Sequence, residues 1–349
     1  MTPRGHRADL SLAEAFEMQA RHCAALGSPF YGRLLPLIPD ALPEGPVRAR
    51  LESWPGSAGN RADAVPLRLM GGLNALARAG IALRDVWPPH EVGDEALADA
   101  IARAAADHPA ALLRYLDGPP QTNEVRRAAA IIPALHLLSA RHGLPITLSE
   151  LGASAGLNLL ADRFALETPE GVRGPSNPVL ELAPDWSGPV PADAPPRIAG
   201  RAGCDRAPVD PSDPNQRARL LSYLWPDQPF REELTEAAIA AGPPPVETAD
   251  AVAWLERRLA APPAGLHLVF HTVFRQYLPP EADARMEALL AQAGARATAE
   301  TPLAHLSMEG DGGNEEGAAI DLTTWPGGVT ERLGRICFHG RWVRWQVAA

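Results

Sequence analysis

The stretch Glu150–Leu159, "ELGASAGLNL", holds the residues whose types and spacing most directly suggest chemistry. Gly152, Ser154 and Gly156 alternate with two alanines, and this pattern fits two unrelated devices. As G-x-S-x-G it is an elbow that presents a serine nucleophile above a sheet. As a glycine-rich loop it lets the backbone close on a nucleotide-like cofactor, and Ser154 is then only a small lining residue. Position separates the two. A hydrolase elbow follows several strands and needs an oxyanion-hole loop of the HGGG kind, which is not found upstream. Here "LPITLSELG" is expected to be the first strand of its domain, preceded only by helices. Glu150, at that strand's carboxyl end, suits an acceptor for a cofactor and has no task in an elbow. The glycine loop is the preferred reading. A serine hydrolase using Ser154, with His339 as a late base, is the minor one.

The E-x-G-x-S-x-G spacing resembles the first motif of class I S-adenosylmethionine-dependent methyltransferases, E/D-x-G-x-G-x-G, with Ser154 in place of the middle glycine. The resemblance implies that Glu150, Gly152, Ser154 and Gly156 hold the cofactor. It also implies that Asp205, after "RIAGRAGC", meets the ribose hydroxyls, and that Asp250, after "PPVETA", contacts the adenine. Each acid has a plainer alternative, a turn for Asp205 and the cap of the helix "AVAWLERRLA" for Asp250. An NAD site is less suited, because only Glu167 and Glu170, in Pro/Gly-rich text, stand near the offset where its ribose acid belongs.

Methyl transfer needs positioning above all, and a base only where the acceptor must lose a proton. His271 in "VFHTV" lies at the carboxyl end of the expected fourth strand, where open α/β sheets bind ligands, and is the candidate base. A hydrogen-bonded core histidine is the alternative. Tyr277 and Arg275 follow in the next loop and could orient an acidic acceptor. Glu309 ends the expected fifth strand before a Gly-rich loop that suits a lid. Asn123, Arg126 and Arg127 open the helix before the glycine loop, where Arg could meet a carboxylate. Asn158 and Asp162 are expected one turn apart on a helix after the loop, facing the same cleft. No H-E-x-x-H occurs, so no metal is expected.

Composition narrows the partners. The 349 residues are 46% hydrophobic and 21% charged, enough for a real core. A net charge of -10 argues against a nucleic-acid surface. All 32 basic residues are Arg, which removes a P-loop lysine and a Schiff-base lysine. Cys23, Cys204 and Cys337 stand far apart without a C-x-x-C. No signal peptide or membrane-length apolar run is evident, so a cytoplasmic protein acting on a small molecule, with no membrane or nucleic-acid partner, is expected.

The positioning elements follow from periodicity. Residues 1–121 are expected to be a helical region, with a capping box at Ser11–Glu14 and helices in "PLRLMGGLNALARAG" and "DEALADAIARAAADH". A further helix, Asn123 to His142, contains Pro133, which should kink or split it. From 122 to 349, strands alternate with helices, interrupted by an irregular Pro/Gly-rich insertion at about 168–196, and two antiparallel edge strands close the chain. The expected fold is α/β: a Rossmann-like, class I methyltransferase-type doubly wound, mostly parallel sheet with a helical N-terminal region.

The chain as a whole resembles a bacterial family catalogued as domain of unknown function 2332. The residues that carry this are "NEVRR", "LSELGASAGLNLLADRF", "RAGCDRAPVDPSDP", "YLWPDQPFR", "PLAHLSMEGD", "WPGG" and "HGRWVRW". The resemblance runs over nearly the full length and implies one unit of sequence, but no activity. The expected function is an S-adenosylmethionine-dependent methyltransferase acting on a small molecule. The alternative is a non-catalytic binding or regulatory module of the same fold.

Overall fold

The computed structural model describes residues 10–59, 62–313 and 315–348. Its contacts divide the chain into two units. The first takes the chain up to Thr122 together with Ser212–Glu233, and the second takes Asn123–Pro211 and the remainder from Leu234.

Every regular element described in the first unit is a helix. Ser11 caps Leu12–Ala25 through the Glu14 amide, and Glu14 answers to the Ser11 amide, which completes the expected capping box. Val65–Arg78 buries ten residues and forms the centre of a core with Phe16, Tyr31, Leu112 and Trp225. The returning segment docks on that helix for a steric reason. A Cβ at Gly71 would lie 2.4 Å from the Tyr223 ring, so only glycine admits the ring. Beside it, buried Asn74 donates to the Ser222 and Leu224 carbonyls. No helix of the structure, among the described residues, is long and apolar enough to cross a membrane.

The second unit is built on β1 (Ile146–Leu151), followed by an excursion containing β2 (Ala165–Thr168), β3 (Gly171–Arg173), β4 (Glu181–Leu182) and β5 (Asp185–Ser187). The main run continues with β6 (Ile198–Asp205), β7 (Glu247–Thr248), β8 (Leu266–Thr272) and β9 (Leu303–Glu309). It ends with β10 (Ala318–Trp325), β11 (Val329–Ile336) and β12 (Trp342–Trp345). The main sheet has the order β5-β12-β11-β10-β9-β8-β1-β6-β7, and β3-β2-β4 form a small second sheet. From β7 to β9 every pairing is parallel, whereas β9 to β12 form an antiparallel meander. The protein is thus a mixed α/β structure with a large, mostly parallel sheet.

Without the excursion, the parallel strands stand in the order third, second, first, fourth, fifth. The chain builds outward from β1 through β6 to β7, then returns to β1's other side with β8. In an open α/β sheet the crevice at such a reversal, outside the carboxyl ends of the strands, is where ligands bind. Both central strands are buried along their whole length, as expected for parallel strands covered on two faces. On one face Leu151, Val269 and Leu303 pack under the helices Ala251–Ala260 and Pro280–Gly294. Leu148, Phe270 and Leu306 on the other face are equally buried.

Four local expectations differ from the structure. Pro133 does not split its helix: Ala128–His142 runs through it and ends at left-handed Gly143. The tail gives three strands rather than two. The edge strand beyond the tail is β5, from the excursion, which pairs in parallel with β12, a long-range match that no local pattern encodes. The glycine loop leads into a 3-10 segment, Leu157–Arg163, rather than an α-helix.

Candidate functional site

The carboxyl ends of β1 and β8, with the loop that follows β1, gather most of the expected residues. At the end of β1 the backbone turns left-handed three times, at Gly152 (φ 70°), Ser154 (φ 51°) and Gly156 (φ 72°). Glycine takes this conformation freely, but an L-residue pays about 1–2 kcal/mol, which Ser154 therefore carries. The loop hangs from β6: the Gly152 and Ala153 amides donate to the Cys204 carbonyl, and the Ser154 amide donates to Asp205 Oδ2 at 3.0 Å. Ser154→Gly is expected to leave the fold unchanged and to raise stability by up to about 1 kcal/mol, the relieved strain less glycine's added chain entropy. Thermal unfolding measures it, and a clear loss of stability would mean that the serine side chain supports the loop.

Glu150 is 2% exposed, and its Oε2 is buried without a hydrogen-bond partner. Burial pushes its pKa well above the ordinary carboxylate value. Arg127 opposes that shift and Asp205 adds to it. Two further buried atoms near the loop lack partners, Ser154 Oγ and Asn158 Oδ1. Buried polar groups are rarely left unpaired, so a cluster of three calls for an explanation.

The other cofactor candidates are engaged by the chain itself. Asp205 accepts one amide on each oxygen, from Ser154 and Ala207, and keeps lone pairs for further donors. Asp250 is exposed and caps Ala251–Ala260, accepting from the Val252 and Ala253 amides, both at 3.1 Å. Its plainer reading is the one seen. Asp250→Ala should therefore cost about 1 kcal/mol of stability, as a lost helix cap does. Ligand affinity measured in the same variant should not change, and a loss of affinity would return Asp250 to the site.

The segment before the helix is structural as well as adjacent. Asn123 Oδ1 accepts from the Leu157 amide, and Asn158 Nδ2 donates to the Glu124 carbonyl. The Arg126 amide donates to Glu124 Oε1. Arg127 spans to β8, donating to the Thr272 and Phe338 carbonyls. Asn158 and Asp162 do not share a face. In a 3-10 helix four residues advance about a turn and a third, so their side chains diverge. Asp162 instead pairs with Arg201 of β6 at 2.5 Å.

His271 is fully buried, and both of its ring nitrogens are engaged, so it does not face the crevice. Nδ1 meets Glu309 Oε1 at 2.7 Å, and Nε2 meets His305 Nε2 at 3.0 Å. In this arrangement His271 has the features of its alternative, a hydrogen-bonded core histidine. His305, four residues before Glu309 in β9, is held well below the usual imidazole pKa, first by burial and then by His271 and Arg275. Burial works to raise the Glu309 pKa as well. The His271 hydrogen bond and charge and two amides outweigh it, and the carboxyl stays below its ordinary value. Oε1 of Glu309 accepts from His271 and from the Phe274 and Arg275 amides, which leaves Oε2 for another donor. Glu309 is therefore the member of this chain placed at the rim.

Arg275 does not wait for an acidic acceptor: its guanidinium pairs with Asp283 and Glu287 of the helix Pro280–Gly294. Tyr277 is 60% exposed on the outer side of the same turn. In the Gly-rich stretch after Glu309, the described residues Asp311 and Glu315–Gly317 are held by one side chain. Buried Arg335 binds Asp311 and the Glu315, Glu316 and Gly317 carbonyls, and it holds the Asp311 pKa down to about 2. Among the described residues, no three His, Cys, Asp or Glu side chains are arranged to hold a metal ion.

Two members of the site escaped the sequence reading. His305 was within reach, since alternation puts it on the same strand face as Glu309. Phe274 had no signal. A Cβ on Gly152 would lie 2.5 Å from its ring, so that glycine exists at least partly to admit Phe274. Gly156 is likewise crowded, by the Pro244 carbonyl at 3.0 Å and Val246 at 3.1 Å.

Neither the curated proteins nor the solved structures contain a match to this chain. One family model, described as "Uncharacterized protein conserved in bacteria (DUF2332)", spans residues 13–345, and the chain belongs to that family.

Proposed function

We propose that the second unit binds S-adenosylmethionine at the β1 crevice and transfers its methyl group to a small molecule. The observation that carries this is the buried, unpartnered Oε2 of Glu150, beside a loop turned left-handed three times at the sheet's reversal point. An acid so placed calls for a cationic donor, and the ammonium of the cofactor's amino-acid end is one. Asn158 Oδ1 and Ser154 Oγ, also unpartnered, supply further polar contacts. Asp205 keeps lone pairs for the ribose hydroxyls. The strand order and the position of the loop favour a Rossmann-like, methyltransferase-type arrangement.

The bound cofactor supplies a methyl group made electrophilic by a sulfonium. The chain's own work is to orient and to hold protons. Glu309 Oε2 is available to accept a proton from the attacking group, while His271 and two amides keep the carboxylate ionised. His271 and His305 act behind it as positioning residues.

Photo-crosslinking with labelled S-adenosylmethionine should place label within Glu150–Asn158, and label elsewhere or none would count against this site. A second reading, a binding module without turnover, is favoured by the Phe274 ring against Gly152. Label without formation of the demethylated product across acceptor panels would support it. The hydrolase reading lacks support, because Ser154 Oγ has no hydrogen-bond partner and so no base to take its proton.

A further inference from the structure

Three observations at the crevice are not used by cofactor binding as such: the aromatic ring on Gly152, the backbone at Val273, and the paired histidines behind Glu309. They meet in one turn, Val273–Tyr277, directly after β8. Val273 has a φ of 54°, an outlier for a β-branched residue, while its amide still bonds the Met308 carbonyl at 2.9 Å. The next residue is Phe274, whose ring fills the space beside Gly152. A single atom, Glu309 Oε1, fastens this turn by accepting the Phe274 amide at 2.8 Å and the Arg275 amide at 3.1 Å. His271 and, behind it, His305 hold that carboxylate in place. On its far side the turn is tied by Arg275 to Asp283 and Glu287.

We propose that Phe274 is the residue that decides access to the glycine loop, carried on a strained turn that Glu309 latches shut. A ligand approaching the Gly152 backbone meets the Phe274 ring first, so binding requires the ring to leave. Strained conformations persist only where surrounding bonds over-determine them, and here those bonds converge on one carboxylate. Weakening the latch frees Val273 to relax and moves the ring off the loop. The identity of the ligand rests on the methyltransferase reading, but the latch itself does not.

Two measurements separate these claims. In ligand-free protein labelled with 4-fluorophenylalanine, the fluorine resonance of Phe274, assigned by its loss in Phe274→Ala, should exchange between two environments. In Glu309→Ala, which removes the acceptor of both amides, the more solvent-exposed environment should dominate. A single environment, unmoved by Glu309→Ala, overturns the gate without any ligand. In the second measurement, calorimetry with S-adenosylhomocysteine should show Phe274→Ala binding tenfold or more tighter than the parent, because the closed fraction no longer subtracts from affinity. Equal or weaker binding in Phe274→Ala overturns the gate. Two fluorine environments with no binding by any variant would leave the gate standing and remove the cofactor assignment instead.

Discussion

Glu150→Gln will make the protein more stable at neutral pH and abolish tight cofactor binding. Both effects come from one atom. Oε2 of Glu150 is buried without a partner, and burial raises its pKa well above the ordinary value. An acid whose pKa is raised by folding stabilises the fold below its unfolded pKa. That contribution is lost as pH rises from about 4.5 through the folded value, because the unfolded chain releases its proton first. Gln has nearly the same shape and no proton to lose. The variant should gain about 1–2 kcal/mol at pH 8, the lower part of the cost of an unpaired buried polar group, since the amide still lacks partners. Urea unfolding should show the gain shrinking toward pH 5, whereas a constant difference would mean that ionisation is not its source. Removing a charge-assisted contact to an ammonium is worth about 1.5–3 kcal/mol, or roughly ten- to more than a hundredfold in affinity. Higher stability together with lost binding marks a residue kept for function at a cost to the fold.

Gly152→Ala is the second large effect expected. At φ 70° an alanine costs about 1–2 kcal/mol in backbone strain. Its Cβ would also stand 2.5 Å from Phe274 Cδ2, and forcing extra atoms into a packed contact costs about 1–3 kcal/mol more. A total loss of about 2–5 kcal/mol should appear as a shifted urea midpoint. The double variant with Phe274→Ala should recover the packing part and leave the backbone part, a coupling that a double-mutant cycle isolates. If Gly152→Ala were neutral, neither the left-handed turn nor the aromatic contact would be present in solution.

Particular residues explain what could be read from the sequence. The central strands were legible because β1 and β8 are short runs, rich in apolar and β-branched residues, between turn signals, and the glycines marked where β1 ends. Family membership was legible because its motifs are long and spread over the chain. The α-helix expected after the loop was not found. "LNLLADRF" has helical periodicity, yet it forms a 3-10 segment before Phe164 turns the chain into β2. Asp250 illustrates a second limit: an acid before a helix satisfies a cap and a ligand equally well on paper, and only the amide distances decide. His271 could not be placed because strand position does not reveal that Glu309 and His305 occupy both its nitrogens. Phe274 lies beyond any local pattern, since its partner, Gly152, belongs to a different strand's loop.

The decisive measurement is calorimetric titration of the purified protein with S-adenosylhomocysteine. Saturable binding of one ligand per chain is expected, weakened roughly ten- to more than a hundredfold in Glu150→Gln and retained in Asp250→Ala. No heat of binding at millimolar ligand, in folded parent protein and in Phe274→Ala alike, would contradict it.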